Sequence, residues 1–190
     1  MFNLFKLKID LMSISGHKIY GPKGVGVLYK RKLISIQPLI HGGSQENGLR
    51  PGTYNTPLIV GIGKASELLN EELEERLSRV NSLAKLLKDK LEQMTGVELL
   101  VDSDLRVPHI LNVFVEGLDA SLFVSELSSL VLSTGSACNS SIITSSHVLK
   151  ALGLSEEKAF SCFRLSIDDS LKIDDLEIFC KQITMHDISK

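Results

Sequence analysis

The chain has 190 residues, 43% hydrophobic and 23% charged, which is ordinary globular composition with enough length for one sizeable core or two small ones. Its 21 Lys and Arg against 23 Asp and Glu leave a net charge of −2, so there is neither a basic nucleic-acid footprint nor an acidic tail, and 5% aromatics with no Trp argue against a base-stacking platform. No apolar run approaches the ~20 residues of a membrane span; the N-terminus has no secretory h-region, and three cysteines without a CxxC pair argue against a disulfide framework or a zinc site and for a reducing, cytoplasmic compartment.

In chain order, residues 9–15 (Ile-Asp-Leu-Met-Ser-Ile-Ser) read as a buried strand stopped by Gly16, and residues 24–29 as a second strand. The segment His41–Thr53 holds four glycines and a proline and reads as a loop. From about Leu58 to Met94 the pattern is one long helix with a single apolar stripe, Leu69, Leu73, Leu77, Val80, Ala84, Leu87 and Leu91. A helix packed across a sheet accounts for that stripe, with a coiled coil as the alternative. Short elements then alternate. Residues 97–101 and 109–115 read as strands; Asp119 caps a helix through Leu122, Phe123, Leu127 and Leu130; residues 131–133 form a short strand. Residues 145–152 form a helix ended by Gly153, 162–167 a strand, and 173–183 a last helix. The alternation indicates an α/β or α+β class.

Three places could carry chemistry. Ser15-Gly16-His17-Lys18 lies at the carboxyl end of the first predicted strand, where ligand sites gather in α/β sheets. An amine there can form a Schiff base with a carbonyl, while Ser15 and His17 can donate to a phosphate; a solvated lysine is the bland alternative. Cys138, in Gly135-Ser136-Ala137-Cys138-Asn139, follows a short strand and is expected to be an exposed thiol, free to act as a nucleophile or sulfur carrier, whereas Cys162 and Cys180 sit in apolar periodic segments and read as packing residues. Arg164, inside the strand Phe163-Arg164-Leu165, needs an anionic partner, either a ligand carboxylate or a structural one. His41, His109, His147 and His186 show no metal-ligand spacing and read as surface or satisfied histidines.

Four segments in order resemble cysteine desulfurases of the NifS/IscS type, in the class-V aminotransferase family. They are Asp10–Gly24 with Ser15-Gly16-His17-Lys18; Gly42-Gly43-Ser44-Gln45-Glu46 through Arg50-Pro51-Gly52-Thr53 to Gly61; Ser133-Thr134-Gly135-Ser136-Ala137-Cys138; and His147–Leu154 with Phe163-Arg164-Leu165-Ser166. The resemblance implies the C-terminal portion of a fold type I, aminotransferase-like α/β protein that uses pyridoxal 5′-phosphate (PLP). Residues 1–57 would be a remnant of the large cofactor domain, and 58–190 the long connecting helix and small α+β domain. Lys18 would carry PLP covalently, Ser15 and His17 would bind its phosphate, and Thr53 would reach the phosphate of a partner subunit, which implies a homodimer. Arg164 would hold the carboxylate of L-cysteine, and Cys138 would take the sulfur as a persulfide and pass it to an iron–sulfur scaffold or another acceptor protein. The chain between Cys138 and Val148 is long enough for a sulfur-carrying loop.

Family members are about twice as long, and their N-terminal half supplies the ring that stacks on PLP and the aspartate that pairs with its pyridine nitrogen. The chain is therefore expected to be inactive without such a half, and to expose a sheet edge and an apolar face. Asn47, Pro51, His109 and Asp168-Asp169 depart from the family pattern. Two alternatives remain open: a non-catalytic remnant or binding module without cofactor, and a selenocysteine lyase on the same scaffold.

Overall fold

The computed structural model describes residues 4, 6–127, 132–134 and 146–187. The chain divides into two compact units, Met1–Leu73 and Glu74–Lys190.

The first unit is built on an antiparallel hairpin of β1 (Leu11–Ser15) and β2 (Gly26–Lys30), with Leu11 opposite Lys30 and Ser15 opposite Gly26. Arg31 pins its base: the guanidinium meets Asp10 at 3.0 Å and Ile9 O at 3.2 Å, and its N–H donates to Asp10 O. The reading of residues 9–15 as a buried strand is corrected. β1 alternates exposed and half-buried residues, because β2 is its one partner strand among the described residues and neither strand is covered on both faces. The exposed apolar surface expected from the resemblance is present, at Leu11, Val27, Leu28, Leu33, Leu39 and Ile40.

Helix α1 (Thr56–Leu91) begins in the first unit and ends in the second. Its apolar stripe does not form one buried face. Of its members Val80, Ala84, Leu87 and Leu91 are buried, Leu69 and Leu73 are half-buried and Leu77 is exposed, because the core of the second unit meets only the C-terminal part of the helix.

That second core lies against a three-stranded antiparallel sheet, β3 (Val97–Leu99), β4 (Ile110–Val115) and β5 (Cys162–Ser166), in the order β3-β4-β5. Strand alternation separates its two faces. Leu111, Val113, Val115, Phe163 and Leu165 join α1, α2 (Ala120–Glu126) and α5 (Ile173–Asp187) in the main core. Phe163 is its hub, with ring centroids 5.5 Å from Phe123 and 6.1 Å from Phe179. Cys162 faces the other way, packing with Leu149 of α3 (His147–Ala151) and Ala159 of α4 (Glu156–Phe160). Asp119 caps α2 as expected, accepting from the N–H groups of Ser121 and Leu122 at 2.9 and 3.0 Å. Leu130 and Val131 lie outside the described residues.

Candidate functional site

β1 delivers the chain to Ser15, and a 3-10 turn, Gly16–Ile19, follows at once. Only glycine fits at its start: a Cβ on Gly16 would lie 2.9 Å from Val25 O and 3.0 Å from Pro22 O. The Gly16 N–H donates to Val25 O and its carbonyl accepts from the Gly21 N–H, both at 2.9 Å, so the loop is tied at its neck. Tyr20, at φ 61°, turns the chain back in the left-handed region.

The structure thus brings Ser15, His17 and Lys18 together on one exposed turn. Ser15 occupies the cap position, yet its hydroxyl makes no cap bond. Among the described residues, no hydrogen bond or ion pair engages the side chains of Ser15, His17 or Lys18. A primary amine, an imidazole and a hydroxyl with free polar atoms suit a small molecule bearing both an aldehyde and a phosphate.

Helix α1 backs this turn through a residue to which the sequence reading gave no role of its own. Gly61 sits inside the helix, where glycine costs about 1 kcal/mol relative to alanine. A Cβ there would lie 2.6 Å from Pro22 Cγ, and one on Gly21 would lie 3.4 Å from Ala65 Cβ, so these two glycines let helix and turn touch. Charge favours an anion in this unit, since residues 1–73 carry nine Lys and Arg against five Asp and Glu, while residues 74–190 carry twelve against eighteen.

Thr53 is exposed at the end of the glycine-rich loop of the same unit. Glu46 and Asn47, at φ 51° and 56°, are left-handed without being glycine. Gln45 Oε1 accepts from the Gly52 N–H and the Tyr54 hydroxyl accepts from the Glu46 N–H, each at 3.1 Å. Gln45 entered the sequence reading only as part of a resembling segment and Tyr54 not at all, because their importance depends on how the loop closes.

In the second unit Arg164 points away from the main core on β5, opposite Asn112. Its side chain is exposed, and no carboxylate among the described residues pairs with it, so the structural ion pair entertained for it is not formed there. The Arg164 backbone bridges Ser133, the last residue before the Thr134–Cys138 segment. Cys138 itself lies outside the described residues.

The other two thiols are packing residues. Cys162 is buried and its Sγ lies 3.1 Å from Lys158 O; burial pushes its pKa up to about 11, against the pull of the Lys158 ammonium. Burial likewise raises the half-buried Cys180. His109, read as a surface or satisfied histidine, is half-buried, and its Nδ1 is buried with no hydrogen-bond partner among the described residues. A cavity of about 270 Å³ in the same unit is lined by Leu87, Leu165, Leu171, Phe179, Ser166 and Asp168, among others, and touches none of the expected site residues that are described. Among the described residues there is no cluster of metal-ligating side chains, and no helix is long and apolar enough to cross a membrane.

A family model described as aminotransferase class-V matches residues 1–179. A cysteine desulfurase IscS of Enterobacter sp. (strain 638) is 42% identical over 167 residues, covering 87% of this chain and 41% of the relative. The chain thus spans about two fifths of the length of the curated relatives it matches. Among solved structures, a NifS-like protein superposes with a TM-score of 0.85 at 35% identity, over 97% of this chain and 48% of that one. SspA in complex with cysteine gives a TM-score of 0.65 at 34% identity, over 88% and 46%.

Proposed function

We propose, because the chain belongs to the aminotransferase class-V family, that it provides the C-terminal part of a PLP-dependent cysteine desulfurase, converting L-cysteine to L-alanine and passing the sulfur on as a persulfide for iron–sulfur cluster assembly. The observation that carries this reading is the Ser15–Lys18 turn: three donor side chains with unspent polar atoms, on a loop whose glycines admit no side chain. Class-V aminotransferases and cysteine desulfurases are PLP enzymes, and this donor set fits that cofactor. In this reading residues 1–57 are the remnant of the large cofactor domain, and 58–190 are the connecting helix and small domain.

Lys18 would hold PLP through its Nζ, with Ser15 and His17 on the phosphate and Thr53 on the phosphate of a second subunit in a homodimer. PLP, when bound, supplies an electron sink for charge developing on the substrate carbon. The chain's own residues do the rest. Arg164 grips the carboxylate of L-cysteine with a planar fork that an ammonium cannot reproduce. Lys18 would also move a proton at Nζ, as base and then as acid. The Cys138 thiolate attacks the substrate sulfur; the substrate carbon–sulfur bond breaks, its electron pair stays on carbon, and protonation there completes alanine. The sulfur remains on Cys138 for an acceptor protein. SspA, solved with cysteine, supports the substrate class. The work is assigned to the cytoplasm, in keeping with the unpaired Cys162 and Cys180.

Since the chain covers 41% of its relative, full activity is assigned to the chain combined with the remaining family length, supplied in the assay as a separate polypeptide. The test is an absorption spectrum with PLP, first of the chain alone and then of the combination. A visible band that borohydride bleaches and Lys18→Ala abolishes supports the reading. Cys138→Ser should keep that band and lose persulfide formation. No band in either sample would leave a non-catalytic module, and selenide release from selenocysteine outpacing sulfide release from cysteine would reassign the substrate.

A further inference from the structure

We infer that Gln45 and Tyr54 are positioning residues for Thr53, fastening the backbone on either side of it so that its hydroxyl meets the cofactor phosphate in one orientation. The inference rests on the reading that Thr53 contacts that phosphate.

The loop needs fastening. Glu46 (φ 51°, ψ 41°) and Asn47 (φ 56°, ψ 36°) are consecutive side-chain-bearing residues in the left-handed region, followed by Gly48 at φ 78°. Such a run persists only where the surroundings hold it. Two backbone bonds close the turn itself, Gly48 N–H to Ser44 O and Leu49 N–H to Glu46 O, both 3.1 Å, but neither reaches Thr53.

Two side-chain bonds hold the residues on either side of it, and they run in opposite senses. Gln45 reaches forward from the turn, its Oε1 accepting from the N–H of Gly52, the residue before Thr53. Tyr54, the residue after Thr53, reaches back, its hydroxyl accepting from the N–H of Glu46 inside the turn. Thr53 is therefore clamped through both neighbours while its own hydroxyl has no partner among the described residues. A side chain left unspent between two pinned backbone positions is what a ligand contact requires, since the ordering cost is met before the ligand arrives.

The test uses the full chain combined with the remaining family length, and two probes, PLP and pyridoxal, which differ in the phosphate. Tyr54→Phe and Gln45→Met each delete one acceptor with little change of shape, and Thr53→Val deletes the hydroxyl. Thr53→Val should weaken PLP binding by about 10-fold and leave pyridoxal binding unchanged. Tyr54→Phe and Gln45→Met should each weaken PLP binding by about 3-fold, spare pyridoxal, and add nothing on the Thr53→Val background. Amide exchange should show the Glu46 N–H deprotected by Tyr54→Phe, and the Gly52 N–H by Gln45→Met. Equal losses for both probes, or unchanged PLP binding in the two variants while Thr53→Val weakens it, overturns the inference. A wild type that binds PLP no better than pyridoxal, or a silent Thr53→Val, overturns the underlying reading of Thr53 instead.

Discussion

Ser133 and Arg164 exchange two backbone hydrogen bonds in an antiparallel bridge, the Arg164 N–H donating to Ser133 O at 2.6 Å and the Ser133 N–H to Arg164 O at 3.2 Å. The chain leaving this bridge reaches Cys138 five residues later, and five extended residues span at most about 18 Å. The proposed substrate grip and the proposed sulfur carrier thus share one backbone anchor, which ties the reach of the thiol to the strand that holds the carboxylate.

The grip can be tested through Arg164. With the remaining family length supplied, Arg164→Ala should raise KM for L-cysteine by about 10- to 100-fold, the range of a hydrogen bond to a charged group, with kcat changed less. Arg164→Lys should recover part of the loss, because an ammonium keeps the charge and loses the fork. Steady-state kinetics read the split, and an unchanged KM in both variants would remove Arg164 from the substrate site.

Thiol labelling should separate Cys162 from an exposed cysteine. Burial raises its pKa to about 11, so at neutral pH the thiol is protonated and unreactive. Alkylation of the native chain followed by peptide mass spectrometry should show Cys162 protected at pH 7 and increasingly modified as pH rises. The linkage has a definite sign. The folded state holds this proton more tightly than the unfolded one, so the contribution to stability is complete below the ordinary value of 9.0 and is lost as pH climbs from there through about 11.

Phe163→Ala should be among the most damaging core substitutions. The side chain is 2% exposed and meets Phe123 and Phe179, so its removal should cost about 3–5 kcal/mol through lost transfer energy and the cavity left behind. Urea unfolding of the second unit, followed by circular dichroism, gives the value. A loss under 1 kcal/mol would mean that the core collapses to fill the space.

Gly16→Ala tests the neck of the lysine turn. The new Cβ would meet two backbone carbonyl oxygens and, at 3.0 Å, the Val25 Cγ1, so the loop must open. PLP binding should fall steeply, while the second unit keeps its unfolding transition. Binding at the wild-type level would show that the turn tolerates a wider neck.

Much of this was legible in the sequence. The strands around Gly16 and Phe163, the Asp119 cap and the last helix follow from alternation, turn residues and 3.6-residue periodicity. Helix α4 was missed although its signals were present, Ser155 accepting from the Lys158 N–H ahead of two glutamates in the first turn. A five-residue helix is too short for a period to show. The Leu69–Leu91 stripe misled because spacing tells which residues share a helix face, not how far along the helix a core extends. Ser15, His17 and Lys18 were found by their neighbours in sequence. The Gln45–Gly52 and Tyr54–Glu46 bonds were invisible, since each joins residues seven or eight apart in a loop without periodicity.

The β1–β2 ladder has unpaired outer edges among the described residues and leaves Leu28 55% exposed, whereas the sheet of the second unit buries Phe163, Val113 and Leu111 almost completely. The lysine-bearing end should therefore breathe at far lower free energy than the rest, as the foldon that opens first. A vitamin-derived ligand fastened there would act as a brace, raising the melting point of that hairpin while leaving the Phe163 cluster as it was.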